Sequence, residues 1–161
     1  MISVLFVCTG NICRSPIAEA TFRQLAHEAG HEGLFVCDSA ATHAYHIGDL
    51  PDDRTRHNAQ QHGLTLTHRA RKLKGEDFAR FDYLVAMDEG HLNHIKNLHH
   101  KVVGFVPNDE TVFLLREFDP QEGSFDVPDP YYESDSAFEE VYQIVYRCNQ
   151  QLLAYLLEKH T

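Results

Sequence analysis

Ile2 to Val7 form an apolar run, interrupted only by Ser3 and rich in β-branched side chains, that stops at Cys8-Thr9-Gly10-Asn11. A short run of this kind, bounded by turn-forming residues, predicts a strand buried on both faces and then a tight loop. Ser15 and Pro16 follow; serine is a capping type and proline suits a first helical turn. Ile17, Ala18, Ala20, Phe22, Leu25 and Ala26 then recur at helical spacing until Gly30. Strand, loop and helix in that order begin an α/β fold.

The alternation continues downstream. Leu34 to Cys37 reads as a second strand, and Pro51-Asp52-Asp53 opens a helix that runs toward His62-Gly63. Phe81 to Met87 is the next strand, followed by a helix from Asp88-Glu89 through Leu98 and a fourth strand over Val102 to Val106. Residues 107–130 are rich in Asp, Gly, Ser and Pro and read as a long functional connection. A final helix, capped by Ser134 or Ser136, carries Phe138, Val141, Tyr142, Val145, Cys148, Leu152, Tyr155 and Leu156 on a core-facing stripe. The expected architecture is three-layer α/β: a four-stranded parallel sheet with helices on both faces, one domain over residues 1–161.

Charge narrows the partners. With 24 acidic against 14 basic residues the formal net charge is −10, which opposes binding to nucleic acid or an anionic membrane surface. The apolar opening lacks a charged leader and meets Asn11 and Arg14 too soon for a signal peptide or a membrane insertion. Four cysteines, Cys8, Cys13, Cys37 and Cys148, do not make a disulfide framework in 161 residues, so a reducing, cytoplasmic location is expected.

Cys8 and Arg14 are separated by five residues, at the point where the buried strand turns into a helix. Open α/β sheets bind ligands beyond the carboxyl ends of their strands, and free N–H groups entering a helix form an anion nest. A thiolate is the nucleophilic form of cysteine, and a helix N-terminus beside an arginine favours negative charge. Arginine adds a planar fork able to hold two phosphoryl oxygens at once. Ser15, as cap and hydroxyl donor, would steady the sulfur when it departs. These features point to attack of a thiolate on phosphorus, and the leaving oxygen then needs a proton from a carboxylic acid. Asp126 and Asp129 both lie in Asp126-Val127-Pro128-Asp129-Pro130-Tyr131-Tyr132, and composition does not separate them.

The string Val7-Cys8-Thr9-Gly10-Asn11-Ile12-Cys13-Arg14-Ser15-Pro16 resembles the signature of the low-molecular-weight protein tyrosine phosphatases. Asp38-Ser39-Ala40-Ala41-Thr42, His68-Arg69-Ala70-Arg71, Phe81-Asp82-Tyr83, Met87-Asp88-Glu89 and Asp129-Pro130-Tyr131-Tyr132 look like family segments in family order. The resemblance implies hydrolysis of protein phosphotyrosine through a cysteinyl-phosphate, with Cys8 as nucleophile, Arg14 as phosphate clamp and Asp129 as general acid and base. It implies a phosphate-binding loop over Thr9, Gly10, Asn11, Ile12, Cys13 and Ser15, and cleft walls from Tyr45, Tyr131 and Tyr132. Asn11, Ser39 and His68 would hold the loop in shape, and Cys13 would be a redox partner for Cys8. No metal and no cofactor are implied. The expected partner is a phosphotyrosine-containing protein, a tyrosine kinase among the candidates, and the chain is expected to be a monomer or a weak self-associating dimer.

Thr9 and His43-Ala44 depart from residues frequent in the family. A protein-arginine phosphatase shares a threonine after the nucleophile but tends to carry another in place of Ile12. Related arsenate reductases use further cysteines near the third strand, and residues 78–90 contain none. An inactive phosphate-binding module would be expected to lack Cys8, Arg14 or Asp129. Among the 12 histidines, His91 and His94 share a helical face and His99-His100 are adjacent, but none has zinc-site spacing, so surface histidines are expected.

Overall fold

A computed structural model describes all residues, Met1–Thr161. Strand β1 (Ile2–Cys8) leads through the loop into helix α1 (Arg14–Glu28). Strand β2 (Phe35–Ala41), helix α2 (Asp53–Gln61) and the short helix α3 (Asp77–Arg80) follow. Strand β3 (Tyr83–Ala86), helix α4 (Glu89–Val103), strand β4 (Val112–Leu114) and helix α5 (Asp135–Lys159) complete the order. The four strands run in the order β2-β1-β3-β4 and every pairing is parallel, as the alternation of strands and helices predicts.

Alternation along β1 feeds both faces. Val4, Phe6 and Cys8 join Ile17 and Phe22 of α1 and Val145, Cys148 and Leu152 of α5 in the larger core. Leu5 and Val7 point the other way, into a smaller core with Ile95 of α4. Phe6 and Phe22 are fully buried with ring centroids 5.8 Å apart, and each such burial is worth about 1.5–3 kcal/mol. The final helix buries its expected stripe except at Tyr155, which is part exposed and rests on Phe118.

Four local expectations are corrected. The second strand is longer than Leu34 to Cys37, because pairing with β1 carries it on to Ala41. Val102 to Val106 is not a strand. Val102 and Val103 close α4, Gly104 caps it in the left-handed region (φ 100°), and Phe105 and Val106 are exposed. The fourth strand is Val112–Leu114, inside the segment expected to be a loop, where three buried residues pair with β3. Ser15 lies in the first turn of α1, behind an N-cap at Cys13 that makes no side-chain bond, so its hydroxyl is free for another partner. No helix is long and apolar enough to cross a membrane.

Candidate active site

Cys8 ends β1 opposite Ala41 of β2, at the carboxyl edge of the sheet. The loop after it is anchored through its carbonyls: those of Cys8, Thr9 and Ile12 accept from the N–H groups of Thr42, His43 and Asp52 at 2.9, 3.0 and 2.9 Å. The N–H groups of Gly10 to Arg14 have no backbone partner. A curved row of free amides at a helix N-terminus is an anion nest, so the expected cradle is present. The Cys8 Sγ lies 2.9 Å from Ser15 Oγ and 3.4 Å from the Ser15 N–H, which places the serine hydroxyl on the sulfur.

The loop keeps its curvature through Asn11, the only non-glycine residue with positive φ (59°). Its Nδ2 donates to Ser15 Oγ at 2.7 Å and Ser39 Oγ at 2.9 Å, and its Oδ1 accepts from His68 Nε2 at 2.7 Å. Asn11, Ser39 and His68 are thus brought together. Glu19, Asp38 and Arg71, which sequence reasoning missed, complete this network. Ser39 Oγ donates to Glu19 Oε1 at 2.6 Å, Arg71 Nε to Asp38 Oδ2 at 3.0 Å, and His68 Nδ1 faces Glu19 and Asp38 at 3.6 and 3.4 Å. Glu19, Asp38 and His68 could ligate a cation by type, but Ser39, Arg23 and Arg71 already donate to both carboxylates.

Arg14 is 4% exposed. Its Nη1 donates to Asp88 Oδ2 at 2.9 Å and to the Val127 carbonyl at 3.1 Å, while its Nη2 lies 3.7 Å from Asp129 Oδ2. The structure also separates the two loop aspartates. Asp126 Oδ1 accepts from the Glu89 N–H at 3.0 Å at the start of α4, whereas Asp129 is half exposed on the cleft with its Oδ1 accepting from the Tyr131 N–H. A cleft of about 380 Å³ is lined by Cys8, Ile12, Arg14, Asp129 and the expected Tyr45, Tyr131 and Tyr132. Tyr131 and Tyr132 meet edge to face at 4.9 Å. His46, unforeseen, also lines the cleft, and a Cβ on Gly10 would come within 3.0 Å of its ring. Cys13 lines it too, with a thiol pushed up to about 12 by burial and by Asp52.

His91 overturns the surface reading. It is 4% exposed, its Nε2 lies 2.7 Å from Thr9 Oγ1, and its backbone N–H donates to Asp88 Oδ1 at 2.9 Å. Burial, and then Arg14, push its imidazole down to about 4. The unfolded chain therefore binds the proton more readily, so this contribution to stability is complete above pH about 6.5 and is lost as pH falls toward about 4. At about 1.4 kcal/mol per pK unit the loss approaches 3 kcal/mol. Calorimetry should show a melting temperature that falls between pH 6.5 and 4, with a shallower fall in His91→Leu; equal slopes would refute the assignment.

An amide nest at the end of the central strand, with a sulfur beneath it and a buried guanidinium beside it, defines a cysteine-dependent phosphatase. Residues 3–161 match the family model described as low molecular weight phosphotyrosine protein phosphatase, and the chain belongs to that family. It is 45% identical over 151 residues to the human low molecular weight phosphotyrosine protein phosphatase, covering 94% of this chain and 93% of that one. Among solved structures, YfkJ from Bacillus subtilis superposes with a TM-score of 0.91 at 38% identity, covering 100% and 98% of the two chains. A Drosophila arginine phosphatase superposes with a TM-score of 0.88 at 28% identity, covering 95% and 96%.

Proposed function

We propose that this enzyme hydrolyses phosphotyrosine on proteins, with Cys8 as nucleophile, Arg14 as clamp and Asp129 as proton carrier. The observation that carries the reading is the set of unpartnered loop amides curving over the Cys8 sulfur, below a cleft walled by tyrosines. The nest and Arg14 would hold the three non-bridging oxygens while the Cys8 thiolate attacks phosphorus. The phosphorus–oxygen bond to the tyrosine breaks, and the Asp129 carboxyl gives its proton to the departing phenolate. Asp129, now a carboxylate, takes a proton from water as that water attacks the cysteinyl-phosphate. The sulfur leaves as thiolate, steadied by the Ser15 hydroxyl and N–H, and inorganic phosphate departs.

Tyr45 and Tyr131 in the cleft lining suit a flat aromatic leaving group, and Ile12 adds an apolar side chain to the same lining. These features favour phosphotyrosine over phosphoarginine. The two are separated by a panel of phosphotyrosine, phosphoserine and phosphoarginine peptides, run with wild type and Asp129→Ala. Wild type should prefer phosphotyrosine, and Asp129→Ala should lose about 10²–10⁴-fold in kcat on it. A preference for phosphoarginine would overturn the substrate, and unchanged kcat in the variant would overturn the role of Asp129. We also place the enzyme in the cytoplasm, in keeping with its four free cysteines; fractionation of the expressing cell, with the protein in the exported pool, would refute that.

A further inference from the structure

The contact between Thr9 and His91 plays no part in the steps above, yet it touches the clamp. His91 Nε2 lies 2.7 Å from Thr9 Oγ1 and 3.5 Å from Arg14 Nη2, while Nδ1 lies 3.2 Å from Asp88 Oδ1, off the line of a full hydrogen bond. Guanidinium nitrogens only donate. Nε2 must therefore present its lone pair to Arg14, and the ring proton sits on Nδ1, toward the carboxylate. The opposite tautomer would set an N–H against a guanidinium and a lone pair against Asp88. A doubly protonated ring would likewise face Arg14 with a donor.

The tautomer fixes the threonine. With Nε2 accepting, the Thr9 hydroxyl gives its one proton to His91 and turns its lone pairs toward Arg14 Nη2 at 3.5 Å. Thr9 is then not a hydroxyl donor to phosphate. The first turn of α4 brackets both ends of the guanidinium. Asp88 takes Nη1 in a short bond, and the His91–Thr9 pair stands behind Nη2, whose protein partners all lie at 3.5 Å or beyond. Nη2 is the terminal nitrogen left loose enough to move onto a phosphoryl oxygen.

We propose that His91 is a positioning residue for the phosphate clamp, acting as a neutral Nδ1–H imidazole that orients the Thr9 hydroxyl and, through it, the Nη2 end of Arg14. The inference rests on reading Arg14 as the clamp. The test is a double-mutant cycle of Thr9→Val and His91→Leu, read by the inhibition constant of inorganic phosphate and by kcat and KM for p-nitrophenyl phosphate. Each single variant should weaken phosphate binding about tenfold and lower kcat more than it raises KM, and the double variant should be no worse than the poorer single. His91→Gln, whose amide oxygen can accept from Thr9, should recover most of the loss. Multiplying single effects, or an unchanged phosphate constant in Thr9→Val, would overturn the proposal. Thr9 is only half buried, so Thr9→Val decides the matter even where His91→Leu does not fold. Phosphate binding requires no turnover, so this result stands apart from any failure of the proposed substrate or nucleophile.

Discussion

Cys8→Ser is expected to cost at least about 10⁴-fold in turnover while leaving the fold unchanged. Serine is close in volume and Cys8 is buried at the end of β1 apart from its face on the cleft, so packing alters little. The chemistry alters completely. A serine hydroxyl is not ionised near neutrality, and its nearest polar neighbour would be the Ser15 hydroxyl, which cannot act as a base. Hydrolysis of p-nitrophenyl phosphate, the phosphate adduct seen by mass spectrometry after acid quench, and the melting temperature together form the measurement. Both turnover and adduct should vanish with the melting temperature held. Retention of a tenth of the wild-type rate would exclude the covalent route.

Arg14→Lys should lose about 10³-fold in kcat although the charge is kept. The guanidinium bonds Asp88 and the Val127 carbonyl through Nη1 while Nη2 stays on the cleft side near Asp129. A lysine ammonium is a single point: it can sit on Asp88 or on the phosphate, and Asp88, the N-cap of α4, is the nearer. Phosphate inhibition should weaken together with kcat. A kcat within fivefold of wild type would show that charge alone suffices.

The strand, loop and helix around Cys8 and Arg14 were legible because each part is written locally: β-branched residues for the strand, glycine and asparagine for the turn, proline for the first helical turn. The three residues of β4 were not, since Val112–Leu114 is too short to display a period and takes its strand character from β3. Val102 to Val106 misled for the converse reason. Their β-branched composition suits a strand, but Val102 and Val103 complete an amphipathic helix, Gly104 caps it, and Phe105 and Val106 lie exposed beyond it. His91 and Glu19 look like ordinary helical polar residues in sequence. Their burial comes from elements far away in the chain, Arg14 and Thr9 for one, Ser39 and His68 for the other. Asp129 was separable from Asp126 by residues alone only through family likeness, whereas in three dimensions Asp126 is already occupied at the head of α4.

The braced loop also bears on synthesis. Its nucleophile precedes these braces in the chain: the loop's shape depends on Ser39, His68 and Arg71, and its clamp on Asp88, His91 and the Val127 carbonyl. A nascent chain therefore carries the thiol before it carries the distant side chains that brace the loop. Until residues 88–127 are made, Arg14 lacks the partners that hold it beside the Cys8 sulfur.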